Sequence, residues 1–538
     1  MFDTKLQSNQ ARFSDKEEIE EHTEDVDYEK GKANNAGITI SIDADGKRGR
    51  LYTDDGFYMV VGGTASKKTR DVVAPYIYNN AIAERSMIIT DLKGDLYRLM
   101  SRTLRAKGYR VVCLNFNDPA QGDAYNLIAP IYQDYKMGKK GKANRALNNL
   151  AGLIFESVKS ETDVFWHNTA SSYFVGLGVS LFENYEQKYA TIANVFNLHL
   201  QGNRKFGGST YMKKFYEKNQ DSEAWKLMVS TVDAPHDTKG GIDSVVAGAC
   251  NSFMGQNDEL MQMMSHSTFE ARDLLDRKTA IFLIANEECI SVFGGIIIAM
   301  IQQWYSMLID IADQEPNGML KRKVSFILDE FGNLPALRNG EMMFSLARAR
   351  GISFMIAIQS FAQLDSRYGR DVADIIIGNT ANWIYLHSPD PKLNEYISRL
   401  TGTVKDEMGN VRNLIDANQL RRLKKYTEEG LTESLMLLGR MYPQVSYLRD
   451  ISEYYGIESI ECMDIPLREN IEVEDIDFCA LVENTEKQKI HNDILERERR
   501  KEQENEEKLK DSDPNDLKKI IDNVIAGLWK GANYEAGI

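Results

Sequence analysis

The sequence predicts an α/β protein: a parallel sheet covered on both faces by helices, interrupted by an all-α segment and followed by a charged tail. Three observations predict it. Between residues 37 and 135, and again between 271 and 470, short continuously apolar runs alternate with helical spacing, the pattern of strands buried on both faces. Between 136 and 270, apolar residues recur at helical spacing and strand texture is lacking. From 471 to 538 the composition turns to charge, with Glu486 to Lys510 almost entirely Lys, Arg, Glu, Gln and Asn.

A chain of 538 residues exceeds what one core supports, so roughly three or four folding units are expected. A net charge of −15 excludes a protein that coats nucleic acid over its whole surface, while leaving room for a local basic channel. The five cysteines (113, 250, 289, 462 and 479) include no Cys-x-x-Cys pair, which supports neither a zinc site nor a disulfide framework and fits a reducing cytoplasm. The N-terminus is polar and acidic, without signal-peptide architecture. The most apolar window, Ile290 to Ile301, is too short to span a bilayer and reads as a buried helix, so no transmembrane segment is expected.

In chain order, residues 1–36 read as an acidic, mobile arm. Strands follow at Ile38 to Ile42, Gly49 to Tyr52, Phe57 to Val61, Ser86 to Thr90 and Tyr109 to Leu114, with a helix over Asp95 to Lys107. Lys136 to Ala143 reads as a basic linker, and Ala146 to Phe155, Asp163 to Tyr185, Ile192 to Leu200 and Ala224 to Val232 read as helices. Strand texture resumes at Thr279 to Ala285, Val324 to Leu328, Ile352 to Ile358 and Asn382 to His387, so one sheet domain is split by the helical one. In the tail, Glu486 to Lys510 is either a solvated single helix or disordered. Asp513-Pro514 then caps an amphipathic helix bearing Leu517, Ile520, Ile521, Val524, Ile525 and Leu528, which either docks on a partner or folds back on its own domain.

The chemistry concentrates at strand ends. Phe57 to Val61 runs into Gly62-Gly-Thr-Ala-Ser-Lys-Lys-Thr69 and then, from Arg70, into helix-forming sequence. Such a loop cradles phosphates with backbone N–H groups and a helix N-terminus, while a lysine reaches the β/γ oxygens and a threonine ligates Mg²⁺. By register the phosphate-binding residues are Gly62, Gly63, Thr64, Ala65, Ser66, Lys67, Lys68, Thr69 and Arg70, with Lys68 the phosphate lysine and Thr69 a metal ligand. The loop is altered: Ala65 and Lys67 stand where glycine is usual, and glycine is favoured there for close approach and positive φ. Val324 to Leu328 ends in Asp329-Glu330, a Walker B arrangement in which Asp329 holds Mg²⁺ and Glu330 polarises the attacking water. Gln359 ends the next strand and is placed to sense the γ-phosphate or to orient water. Arg348 and Arg350 precede that strand, and either an arginine finger or plain surface charge explains them.

Together these segments resemble the conjugative coupling proteins of type IV secretion, relatives of FtsK-like DNA pumps. Met87-Ile-Ile-Thr-Asp-Leu-Lys-Gly-Asp-Leu-Tyr97 is similar to the family's second-strand motif, and Ile327-Leu-Asp-Glu-Phe-Gly-Asn-Leu-Pro335 to its Walker B segment. Ala347-Arg-Ala-Arg-Gly-Ile352 leading to Ala357-Ile-Gln-Ser360 resembles the stretch carrying the arginine finger and sensor glutamine, with Arg348 the better match for the finger. Trp166 and Asn382 to Gly402 also fit, and the likeness extends over about residues 10 to 465. The resemblance implies a RecA-like P-loop ATPase domain, ATP and Mg²⁺ as cofactors, and an all-α domain facing the cytoplasm. It also implies a homo-hexamer around a channel for single-stranded DNA delivered by a relaxase. The partners expected are that relaxase–DNA complex and the secretion machinery, including a membrane protein. Since the family's usual transmembrane helices are not seen, the chain is expected at the inner face of the cell membrane through either a missing segment or a partner. Lys107, Arg110 and the run Arg421 to Lys425 are candidate DNA-facing patches. The alternatives are a coupling scaffold with little ATPase activity and a DNA translocase outside secretion.

Overall fold

Phe57–Val61, Ser86–Asp91 and Val324–Leu328 are buried at every position, and strands of that kind are stable only inside a sheet covered on both faces. In the computed structural model, residues 11–156, 164–254, 258–405, 408–439, 441–458, 465–471, 473–510, 518–519 and 521–526 are described. Strands β1 (Glu24–Asp27), β2 (Ile38–Ile42) and β3 (Arg48–Tyr52) form a small antiparallel sheet in the order β1-β3-β2. The large sheet contains β4 (Phe57–Val61), β5 (Ser86–Asp91), β6 (Arg110–Asn115), β7 (Thr279–Ile284), β8 (Val324–Leu328), β9 (Ile352–Ile358), β10 (Asn382–Tyr385), β11 (Thr432–Leu438) and β12 (Gln444–Leu448). Its nine strands lie in the order β12-β11-β10-β4-β9-β8-β5-β7-β6. The seven from β10 to β6 are parallel, and β11 and β12 add an antiparallel edge.

This order places the functional groups. Strands β4 and β5 follow one another in sequence but are separated in the sheet by β9 and β8. In open parallel sheets, ligands bind beyond the carboxyl ends of strands at such a reversal. The loop after β4, Asp329 after β8 and Gln359 after β9 therefore share one edge.

Helices fill most of the interval between β6 and β7, including Lys140–Glu156, Val164–Asn184, Glu223–Val232 and His236–Met254. Met137 to Lys139 is all that separates helix Ile128–Lys136 from the next, so the expected basic linker is largely helical. Gly241 is held there by Trp166, whose ring atoms lie 2.9–3.1 Å from where a Cβ would stand. Glu287–Ala312 is, among the described residues, the one helix long and apolar enough to cross a membrane by length and composition. Its Ile296, Ile298, Met300, Ile301, Trp304 and Leu308 are fully buried, and Tyr305 meets Phe326 and Phe354 of the sheet. It serves here as a core helix.

The expected mobile arm is corrected over its second half: Asp15 caps helix Lys16–His22 through the Glu18 N–H, and β1 pairs with β3. Val26 and Tyr28 are buried, and Tyr28 Oη donates to Asn79 Oδ1, so the acidic composition hides two anchoring side chains. Strands β11 and β12 were not expected. Thr432-Glu-Ser-Leu-Met-Leu-Leu438 mixes apolar residues without alternation, and such a run does not distinguish strand from helix.

Residues 197–220 and 476–538 form a second compact unit. In it, Phe478–Lys510 is one helix, which resolves the expected choice between helix and disorder. Its first turns are anchored: Gln201 Oε1 accepts the Phe478 N–H at 2.6 Å, Tyr211 Oη donates to Glu483 Oε1 at 2.7 Å, and Phe215 meets Phe478 edge-on. From Ile490 to Glu504 the helix is exposed, as its charges require. The expected cap at Asp513-Pro514 and apolar positions Leu517, Ile520 and Leu528 lie outside the described residues.

Candidate active site

The loop Gly62 to Thr69 takes the shape its register demands, with unusual residues in two places. Ala65 has φ +55° and Lys67 φ +66°, the left-handed region that glycine occupies freely and other residues enter at a cost of about 1 kcal/mol or more. Both are positions where the sequence departs from glycine, so the altered loop keeps the backbone conformation and carries strain. Gly62 and Gly63 admit no side chain: a Cβ would stand 2.7 Å from Ser66 Oγ at the first and 2.9 Å from Pro389 Cδ at the second. Ser66 Oγ is buried with no hydrogen-bond partner among the described residues. The buried Lys68 ammonium donates to the carbonyls of Gly62 (2.7 Å) and Gly63 (3.3 Å), and burial holds its pKa below the usual lysine value. After Lys68 the chain enters a wide π turn, Thr69–Val73, before the α-helix Ala74–Ile82.

The other components meet this loop. Thr69 Oγ1 donates to Asp329 Oδ2 at 3.0 Å, and Thr90 Oγ1 from the end of β5 donates to the Asp329 carbonyl at 3.0 Å. Glu330 is itself left-handed (φ +51°), which turns its carboxylate away from the strand direction toward Gln359. Gln359 Nε2 donates to Glu330 Oε2 at 3.0 Å, while Gln359 Oε1 accepts from Thr64 Oγ1, also at 3.0 Å. One glutamine thus ties the phosphate loop to the carboxylate expected to act on water. Lys68, Thr69, Asp329, Glu330 and Gln359 form one constellation, and it fits Mg²⁺ with a polyphosphate: hard oxygen ligands, a cation, and donor-lined backbone.

Asp329 is buried, and burial first, then the neighbouring Glu330, raise its pKa to about 7. A carboxyl whose folded pKa lies above its unfolded value stabilises the fold when neutral, and that contribution is lost as pH rises from about 4 through about 7. Asp329→Asn keeps an acceptor for Thr69 and removes the charge. It should raise the unfolding midpoint of the metal-free chain at pH 8, leave it unchanged near pH 4, and abolish turnover. Thermal unfolding at the two pH values checks this.

The arginines are distributed differently. Arg348 lies before β9, at the opposite end of the strand from Gln359; its side chain is 65% exposed and its guanidinium pairs with Asp54 at 2.8 Å. It is not part of its own chain's constellation. Arg350 pairs with Asp313 at 3.0 Å. Arg70, expected among the phosphate-binding residues, instead turns its guanidinium to Asp450, holding that carboxyl down at about 2. Of the expected DNA-facing groups, Arg110 pairs with Asp273 at 2.8 Å, and Lys107 sits over the Tyr78 ring, half-buried. The run Arg421 to Lys425 lies at the phosphate loop: Lys425 Nζ donates to the Thr64 carbonyl at 3.4 Å. Lys93 and Lys425 both lie close enough to Lys68 to lower its pKa, and neither was singled out from sequence as part of this site. Lys93 was detectable in principle, since it follows β5 at the same sheet edge. Lys425 was not, because it follows no strand of the parallel sheet directly and reaches the loop from the segment between helix Ala417–Arg421 and β11.

A phosphate loop entering a helix at the carboxyl edge of a parallel sheet, with a glutamine strand between it and an Asp-Glu strand, defines a RecA-like P-loop NTPase fold. The chain belongs to the type IV secretory system conjugative DNA transfer family, whose model matches residues 10–425. It is 24% identical over 352 residues to protein VirD4 of Agrobacterium fabrum, an alignment covering 64% of this chain and 49% of that protein. It is 24% identical over 357 residues to conjugal transfer protein TraG of Escherichia coli, covering 63% and 54% respectively. The chain therefore spans about half the length of these curated relatives. In fold it is similar to the plasmid coupling protein TrwB in complex with the non-hydrolysable ATP analogue ADPNP, with a TM-score of 0.56, 16% identity, and coverage of 86% of this chain and 96% of that one. TrwB in complex with ADP and Mg²⁺ gives a TM-score of 0.52 at 16% identity, covering 86% and 97%.

Proposed function

We propose that the chain is a conjugative coupling ATPase, which recruits a relaxase–DNA complex and drives DNA into a type IV secretion channel with energy from ATP hydrolysis. The observation that carries this reading is the linked set Thr69–Asp329 and Thr64–Gln359–Glu330 at one sheet edge, in a chain of this family. Lys68 and the loop N–H groups bind the β/γ-phosphates; Thr69 and Asp329 would hold Mg²⁺, which would supply positive charge against the phosphate oxygens. Glu330 orients water and accepts its proton. Gln359 couples loop occupancy to Glu330. Arg348 lies on the far side of its own sheet, so it acts on the nucleotide of a neighbouring copy in a ring, expected to be a hexamer. The chain works at the cytoplasmic face of the cell membrane, beside a membrane partner. DNA is gripped through its phosphates, with little sequence dependence.

The left-handed Ala65 and Lys67 favour a second reading, a coupling scaffold with little turnover. ATP hydrolysis by the purified chain, with and without single-stranded DNA, separates the two. The motor reading expects turnover stimulated several-fold by DNA. Absence of turnover together with retained relaxase binding would leave the scaffold.

A further inference from the structure

The strained lysine of the phosphate loop is held from outside the loop. Lys67 Nζ lies 3.8 Å from the centroid of the Tyr426 ring and 3.5 Å from Asp71 Oδ2. The Lys67 side chain is only 13% exposed, so its ammonium needs these partners. Asp71, on the turn following the loop, is in turn fixed by Thr432, whose Oγ1 donates to Asp71 Oδ2 at 2.6 Å. Tyr426 stands on a closed segment. The Glu433 N–H donates to the Lys424 carbonyl at 2.9 Å, the Lys424 N–H to Glu433 Oε2 at 2.8 Å, and the Thr427 N–H to the Leu431 carbonyl at 2.8 Å. The neighbouring Lys425 holds the other end of the loop through the Thr64 carbonyl.

We infer that the segment 424–432 is a clamp on the phosphate loop, and that Tyr426 is a positioning residue that stabilises the left-handed Lys67 where a glycine would need no support. The clamp has two consequences. It draws the Lys67 ammonium sideways over the Tyr426 ring, leaving the phosphate seat to Lys68. It also makes nucleotide affinity depend on Tyr426, a dependence that a loop with glycine at position 67, lacking a side chain to grip, would not have. The inference deepens the ATPase reading and, for affinity, rests on it.

The test is a double-mutant cycle on the full chain: wild type, Tyr426→Ala, Lys67→Gly and the double variant, with Tyr426→Phe as the ring-retaining control. Tyr426 is 67% exposed, so its truncation leaves the core intact. A fluorescent ATP analogue with Mg²⁺ gives Kd, and thermal unfolding of the nucleotide-free chain gives a second readout. Tyr426→Ala should weaken binding about five- to tenfold in the wild-type loop and less than about twofold beside Lys67→Gly, with Tyr426→Phe behaving as wild type. Equal losses in both backgrounds, or none in either, would overturn the clamp. If wild type takes up no nucleotide, the ATPase reading fails and melting alone decides. A midpoint lowered by Tyr426→Ala only when Lys67 is present supports the clamp, and any other pattern refutes it.

Discussion

Glu330→Gln should lower ATP turnover at least about 100-fold while leaving nucleotide affinity within about twofold, since general-base action contributes on that scale. The structure separates the two quantities. The Glu330 side chain is hydrogen-bonded toward the loop through Gln359, at 3.0 Å, and an amide in its place preserves shape and hydrogen-bonding capacity there. It cannot take a proton from water. Lys68→Ala should instead abolish nucleotide binding and, with it, turnover: the lysine sits inside the loop on the Gly62 and Gly63 carbonyls, and its removal takes away the main positive charge facing a bound phosphate. Single-turnover hydrolysis for the first variant and nucleotide titration for the second check the pair. A Glu330→Gln chain with normal turnover would remove the carboxylate from the chemistry.

Arg348→Ala is expected to reduce turnover by about a thousandfold or more, the scale of a trans-acting arginine, and mixing should rescue it. Its guanidinium is tied to Asp54 by one partly exposed ion pair, an interaction worth about 1 kcal/mol at most and readily exchanged for a neighbour's phosphate. An Arg348→Ala subunit has an intact loop, and a Lys68→Ala subunit has an intact Arg348. Their equimolar mixture should therefore hydrolyse ATP faster than either variant alone. A residue acting within its own chain would give no such recovery.

The parallel sheet was legible because its strands are buried on both faces: Phe57 to Val61, Val324 to Leu328 and Ile352 to Ile358 are apolar without interruption, apart from Ser325 and Ser353. These two serines escape the pattern by bonding one another at 2.8 Å across adjacent strands. Lys68, Thr69, Asp329, Glu330 and Gln359 were legible for the same reason, since each immediately follows such a strand or the loop leaving it. Lys425 and Tyr426 were not. Their place beside the loop depends on β11 pairing antiparallel to β10, a long-range register that composition does not encode. Arg70 follows the loop directly, yet its guanidinium turns to Asp450, 380 residues away in sequence, a long-range pairing that adjacency to the loop does not reveal. The arm misled because two buried side chains, Val26 and Tyr28, outweigh the charges around them.

The measurement that most directly tests whether this glycine-poor loop is a working nucleotide site is a titration of the purified chain with a fluorescent ATP analogue and Mg²⁺, beside Lys68→Ala. Saturable one-site binding in the wild type that is lost in the variant is the predicted result. No saturable binding, or the same binding in both, would contradict it.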